Sequence, residues 1–251
     1  MAQTALITGA SSGIGLELAK IFAQNKIDLI LVARESDRLR QAAASSQARV
    51  IARDLADPQS PRAIHDELAS TPIDYLVNNA GFGLGGPFAA NDRQTQLDMI
   101  QVNVTSLVDL TRLFLPGMLA RKSGRIMNVA STAAFQPGPL MAVYYATKAF
   151  VLSFTEAIAE ELRRSGVTVT ALCPGPTASD FQRRAGLDHV KLFKNKFLSM
   201  SSRKVAEIGY RGMLQGKVIV IPGIMNKLGV QSLRLGPRAI VRKAARKLQE
   251  S

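Results

Sequence analysis

The chain has a single cysteine, Cys173, so it can form no internal disulfide, and no pair of cysteines has metal-ligand spacing. A reducing compartment fits this composition best. Its two histidines, His65 and His189, are too few and too scattered for a recognisable metal site. No apolar run reaches the eighteen or so residues needed to cross a bilayer, because Arg, Lys, Asp or Pro interrupts each one. The start Met-Ala-Gln-Thr-Ala-Leu-Ile-Thr lacks the basic, long apolar and small-residue zones of a secretory signal, and predicts a cytosolic chain. Acidic residues are also scarce, 19 against 32 Lys and Arg, for a formal net charge of +13.

That surplus is uneven. Arg183, Arg184, Lys191, Lys194, Lys196, Arg203 and Lys204 face one acid, Asp188, between Phe181 and Lys204; Lys227, Arg234, Arg238, Arg242, Lys243, Arg246 and Lys247 face only Glu250 after Ile224. With the charge confined to two late segments and no nucleic-acid motif present, nucleic acid is not an expected partner.

At 251 residues and 47% hydrophobic, the chain can bury one continuous core. Short β-branched or apolar runs alternate with longer amphipathic stretches, the pattern of a parallel sheet covered on both faces. The expected fold is therefore α/β, a single Rossmann-like doubly wound domain over residues 1–223, followed by a basic helical extension, 224–251. The expected strands are Ala5 to Thr8, Asp28 to Ala33, Arg49 to Arg53, Tyr75 to Asn78, Arg125 to Ala130, Thr168 to Cys173 and Val218 to Ile221. Helices are expected over Gly13 to Gln24, Ser36 to Ser46, Pro58 to Leu68 (with Asp57 as its cap), Arg93 to Leu119, Val143 to Arg164 and Arg203 to Leu214. Residues 174–202 carry no clear periodicity and are expected to cap the site.

Three clusters carry the chemistry. Thr8-Gly9-Ala10-Ser11-Ser12-Gly13-Ile14-Gly15 follows the first strand and opens the first helix, where glycines let the backbone approach a pyrophosphate and the helix offers unpaired N–H groups. Arg34 closes the second strand nineteen residues after Gly15, where an acid would bind the ribose hydroxyls of NAD. An arginine suits the 2′-phosphate of NADP instead, so NADP(H) is favoured over NAD(H), although Glu35 beside it pulls the other way. Asn78-Asn79-Ala80-Gly81 follows the fourth strand, at the sheet edge where open α/β folds bind ligands.

The third cluster is Ser131, Tyr144 and Lys148. A spacing of four puts Tyr144 and Lys148 on one helical face and turns Tyr145 about 100° away. A carbonyl reduced by hydride needs a proton, and a tyrosine can supply it if tuned. An ammonium about 4 Å away, at an effective dielectric of about 20, would lower the phenol by roughly 3 pKa units. Ser131 is placed to hold the substrate oxygen. Asn103, in an otherwise apolar helical stretch, is costly to bury without partners and needs a reason to be there.

Together, Thr-Gly-x-x-x-Gly-Ile-Gly, Asn-Asn-Ala-Gly, Asn103, Ser131 and Tyr144-x-x-x-Lys148 resemble the short-chain dehydrogenase/reductase family, over about residues 3 to 222. The resemblance implies an NAD(P)-dependent oxidoreductase acting on C=O or CH–OH groups, with Tyr144 as general acid/base and no metal. It also implies that Asp54 and Leu55 border the adenine, Lys148 reaches the nicotinamide ribose, and Asn103 bends its helix and holds a relay water. Pro174, Gly175 and Thr177 would cover the nicotinamide. The helices at Arg93 to Leu119 and Val143 to Arg164 match those by which relatives form dimers and tetramers.

Phe181, Leu187, Leu192, Phe193, Phe197, Leu198 and Met200 offer walls for an apolar carbonyl or alcohol substrate. In the tail, Ile240, Ala244 and Leu248 form a stripe opposite Arg242, Lys243, Arg246 and Lys247, after a Gly236-Pro237 break. Such a helix suits an anionic membrane surface, but more often packs its stripe on its own domain. A rival reading is a non-catalytic NADP(H)-binding regulator or scaffold recruiting a partner through this tail; retention of the full Asn–Ser–Tyr–Lys set weighs against it.

Overall fold

A computed structural model describes residues 3–34, 37–178, 180–186 and 199–250. Seven strands build its main sheet: β1 (Thr4–Thr8), β2 (Asp28–Ala33), β3 (Arg49–Ala52), β4 (Tyr75–Asn78), β5 (Gly124–Val129), β6 (Val167–Leu172) and, after a short pair β7 (Thr177–Ala178) and β8 (Met200–Ser201), β9 (Ile219–Val220). They run parallel in the order β3-β2-β1-β4-β5-β6-β9, while β7 and β8 pair with each other. The expected α/β doubly wound fold is what the chain adopts. Because strand side chains alternate, Ala5 and Ile7 of β1 enter one core with Leu18, Phe22 and Tyr210, while Leu6 enters the other with Ile64, Phe114 and Ile126. Burial on both faces is why these strands read as continuous apolar runs.

Chain direction across the sheet reverses between β1 and β4, the crevice where this architecture seats ligands. Helices α1 (Gly13–Gln24), α2 (Asp37–Ser46), α3 (Ser60–Glu67), α4 (Arg93–Ile100), α5 (Ser106–Ala120) and α6 (Ala142–Glu161) cover the faces. Between β6 and β9, the β7–β8 pair brackets the one-turn helix α7 (Phe181–Arg184) in the chain, and α8 (Ser202–Leu214) leads to β9. Glu35, Ser36, Leu187, Asp188, His189, Leu192, Phe193, Phe197 and Leu198, with Lys191, Lys194 and Lys196, lie outside the described residues.

Three expectations are corrected. Asp57-Pro58 does not start α3: the Asp57 carboxylate accepts from the Gln59 N–H at 2.9 Å, closing a turn, and the helix begins at Ser60 with Pro61 in its first turn. The helix expected over Arg93 to Leu119 is two, joined by a π turn at Gln101–Thr105. The extra residue of that turn breaks the i→i−4 ladder, an interruption found frequently at functional sites.

The third correction concerns the tail. It forms α9 (Ile224–Leu235) and α10 (Arg238–Glu250), with the expected break at Gly236-Pro237. Yet Ile240 is 63% exposed and Ala244 is exposed, whereas Ala245 and Gln249 are buried and Val241 is half-buried. The Leu248 side chain lies outside the described ones. The buried face of the helix is thus offset by about one position from the apolar stripe, and it includes Gln249, whose side chain meets a polar partner. No helix among the described residues is long and apolar enough to cross a membrane, and no group of three His, Cys, Asp or Glu residues among them could hold a metal ion.

Candidate active site

A cleft of about 1130 Å³ opens at the carboxyl ends of β1, β2, β4, β5 and β6. This exceeds the roughly 300–1,000 Å³ of a typical small-molecule pocket and leaves room for an extended ligand. On one side lie Gly9, Ser11, Ser12, Gly13 and Ile14. Gly9 and Gly13 adopt φ of +66° and +59°, left-handed values that favour glycine. Ser12 precedes α1 in extended conformation and its side chain makes no capping bond, so the first-turn N–H groups are left for a ligand. That arrangement fits a dinucleotide pyrophosphate.

Thr8 and Asn79 hold this turn against β4. The Thr8 hydroxyl accepts from the N–H groups of Asn79 and Ala80 at 3.1 and 3.0 Å, and the Asn79 amide donates to the Thr8 and Gly9 carbonyls at 2.9 and 3.1 Å. Gly15, expected among the cofactor contacts, is not in the cleft wall; it packs behind the turn, where a Cβ would lie 2.4 Å from the Asn79 amide nitrogen. Arg34, Asp54, Leu55, Asn79, Ala80 and Gly81 all line the cleft. Asp54 also accepts from the Ala56 N–H at 3.0 Å. Arg38 and Arg53, which no sequence motif marks, join Arg34 on this side, and Arg38 is ion-paired with Asp180, which directly precedes α7.

Across the cleft stand Ser131, Tyr144 and Lys148. Ser131 closes β5 and caps a short 3-10 turn (Thr132–Phe135), accepting from the Ala133 N–H at 3.1 Å. Tyr144 and Lys148 project from the first turns of α6. The Tyr144 ring lies 5.2 Å from Phe181 and 6.0 Å from Tyr145. Burial among these rings raises the phenol's pKa well above its ordinary value, and the hydrogen-bonded Ser131 hydroxyl only partly opposes this.

Here the structure corrects the expected pKa drop. The Lys148 ammonium donates to the Val129 carbonyl at 2.8 Å and sits 5.8 Å from the centre of the Tyr144 ring, while loss of hydration on burial sets the direction of the phenol's shift. Burial also lowers Lys148 itself, to about 8, with Cys173 opposing.

Asn103 is 1% exposed and does not line the cleft; it lies behind Gly81, at the π turn. Its carbonyl accepts from the Phe82 N–H at 3.0 Å, and its amide donates to the Phe82 carbonyl at 2.9 Å and to Thr147 at 3.1 Å. It thus ties the loop after β4 to α6, which explains its presence in an apolar stretch. Pro174, Gly175 and Thr177 line the cleft too. The Thr177 hydroxyl donates to the Gly175 carbonyl at 2.9 Å and keeps its lone pairs for a donor. A Cβ on Gly175 would fall 2.4 Å from the Asn226 side-chain oxygen, so α9 packs directly on this turn.

Beneath the site, Asn78 donates to Thr111 at 3.0 Å and to Asn128 at 2.9 Å, and Asn128 donates to Thr155 at 3.0 Å. This buried ladder fixes the ends of β4 and β5. Gln136, Met141, Tyr145 and Gln249 complete the wall near Tyr144, and no local motif marked them.

An α/β sheet with an uncapped helix terminus at its switch point, facing a Ser–Tyr–Lys cluster, defines a dinucleotide-type oxidoreductase. The chain belongs to the short-chain dehydrogenases: the family described as "short chain dehydrogenase" matches residues 3–189. It is 31% identical over 222 residues to the ketoacyl reductase HetN of Nostoc sp., covering 82% of this chain and 77% of that one. It is 34% identical over 185 residues to the human very-long-chain 3-oxoacyl-CoA reductase, covering 69% of this chain and 59% of that one. A short-chain dehydrogenase from Sphingobium yanoikuyae, solved in complex with NADPH, superposes with a TM-score of 0.81 at 32% identity, covering 96% of this chain and 97% of that one.

Proposed function

We propose that the chain is an NADP(H)-dependent carbonyl reductase in which Tyr144 is the proton donor. The observation that carries this reading is the convergence, in one cleft, of the uncapped α1 terminus with Ser131, Tyr144 and Lys148. A nicotinamide dinucleotide bound in this cleft would be held by residues 9–14, Asn79 to Gly81, Pro174, Gly175 and Thr177, and would supply the hydride. Ser131 orients the substrate oxygen, and Tyr144 hands its phenolic proton to that oxygen. The raised pKa of Tyr144 keeps that proton in place at neutral pH and suits reduction. Lys148, with the Val129 carbonyl holding its ammonium, is the charge that stabilises the phenolate as it forms and a ligand for the nicotinamide ribose.

Support for NADP(H) comes from Arg34, with Arg38 and Arg53 on the same rim, and from the NADPH complex of the Sphingobium relative. Support for an apolar, oxoacyl-like substrate comes from Met141, Tyr144, Tyr145 and Phe181 on the substrate wall and from the ketoacyl reductases among its relatives. Exposed Leu97 and Ile100 on α4 and Phe150 on α6 support pairing of two copies through these helices.

The test is NADPH oxidation with ketones of varied chain length, with NADH as control. Tyr144→Phe is expected to lose about 10²–10⁴-fold in kcat while still binding NADPH. Unchanged turnover would reject the mechanism, and a preference for NADH would reject the role of Arg34.

A further inference from the structure

The C-terminal helix reaches the active site. Gln249, in the last turn of α10, is 5% exposed and donates through Nε2 to the Tyr145 hydroxyl at 2.9 Å, across 104 residues of sequence. It lines the same cleft as Ser131, Tyr144 and Lys148. Tyr145 is buried in the apolar cluster that holds Met141, Tyr144 and Phe181, and Gln136 supplies a second hydrogen bond to its hydroxyl. Its ring is held tightly, since a Cβ on Gly138 would fall 2.2 Å from it. The Tyr145 hydroxyl is therefore a fixed anchor, and Gln249 is oriented by it.

One half of the Gln249 amide is spent on that anchor. The other half, the carbonyl oxygen Oε1, is buried without a hydrogen-bond partner among the described residues. A buried acceptor left unmade is costly, and a group of this kind at a ligand cleft is where an incoming donor gains most. Apart from Gln136, the side chains clustered here, Met141, Tyr144, Tyr145 and Phe181, are aromatic or aliphatic, so Oε1 is well placed to discriminate between polar substrate groups.

We infer that Gln249 is a specificity-determining residue of the substrate pocket, whose free Oε1 accepts a hydrogen bond from an N–H or O–H carried by the substrate away from its reacting carbonyl. The substrate class is then an oxo compound bearing an amide or hydroxyl donor, rather than a plain aliphatic ketone. This rests on the carbonyl-reductase reading above. It also makes the C-terminal helix part of the pocket, not an appendage beyond it.

The experiment uses the full chain and pairs of oxo-amides and oxo-esters that differ only in N–H against O, with the spacing from carbonyl to nitrogen lengthened across the series. Wild type is expected to favour the amide at one spacing by about tenfold in kcat/KM, mainly through KM. Gln249→Leu is expected to erase that preference by slowing the amide and sparing the ester, and Gln249→Glu, which keeps an acceptor oxygen, to retain it. NADPH affinity and thermal unfolding of each variant separate this from a collapse of the fold.

Equal losses on amide and ester in Gln249→Leu, or no amide preference at any spacing, would overturn the inference. Tyr144→Phe distinguishes the two levels: if it abolishes turnover while Gln249→Leu leaves selectivity intact, only the role of Gln249 falls. If Tyr144→Phe turns over normally, the reductase reading falls with it.

Discussion

Gly15 offers a quantitative test of how the phosphate-binding turn is held. Its backbone is ordinary, so a substitution is judged by space alone. An alanine methyl would lie 2.4 Å from the Asn79 amide nitrogen and 2.5 Å from the Gly9 carbonyl oxygen. The first obstacle can move only by giving up the bonds from Asn79 to the Thr8 and Gly9 carbonyls, and the second is backbone. Overpacking at such a site costs about 1–3 kcal/mol, and two lost hydrogen bonds add about 1 kcal/mol each.

The expected total is about 3–5 kcal/mol, which for a chain of this size lowers Tm by about 10 °C or more. Because the displaced groups form the floor of the turn, NADPH affinity is expected to fall at least tenfold as well. Thermal unfolding with and without NADPH, alongside a fluorescence titration of the cofactor, measures both quantities. A Tm within about 2 °C of wild type together with unchanged affinity would show that the turn tolerates the methyl, and would refute the packing argument.

Elsewhere the geometry makes two smaller claims. A Cβ added at Gly229, exposed in α9, would have nothing within 4 Å, so Gly229→Ala meets no clash; it is expected to gain up to about 1 kcal/mol of helix propensity, read as a higher midpoint in urea. The pH profile of carbonyl reduction should report Lys148, whose buried ammonium has a pKa of about 8. Its charge is present below that value and lost above it, while Tyr144, raised by burial, keeps its proton throughout. Thus kcat/KM should be flat near neutrality and fall as pH passes about 8, and Lys148→Met should abolish the break along with most activity; a profile that stays flat well into the alkaline range would contradict this assignment.

The sheet and the cofactor side of the cleft were legible because each signal is local. A strand buried on both faces writes its own apolar run, and a turn between strand and helix carries its glycines in one stretch. What escaped depends on partners far along the chain. The π turn at Gln101–Thr105 accompanies the grip of Asn103 on Phe82 and Thr147, which no window around Asn103 contains. The rotation of α10 answers to Tyr145, so the apolar stripe of the tail pointed the wrong way. A spacing of four puts Tyr144 and Lys148 on one helical face, but the ammonium is directed by the Val129 carbonyl, and the sign of the tyrosine's shift follows from its burial, which only the folded chain supplies. Gln136 and Gln249 are ordinary glutamines until the fold brings them to one ring.

Cys173 lies at the end of β6, fully buried and directly before the Pro174-Gly175 turn, with its thiol pushed up to about 12. A thiol in that state is chemically silent in the folded chain and becomes reactive only when the strand end opens. The chain therefore carries a built-in reporter. The rate at which a thiol reagent labels it, compared with labelling of the unfolded chain, gives the free energy of local opening at the floor of the active site. No background from a second cysteine needs subtracting, and adding NADPH would show directly how much a bound cofactor clamps that floor shut.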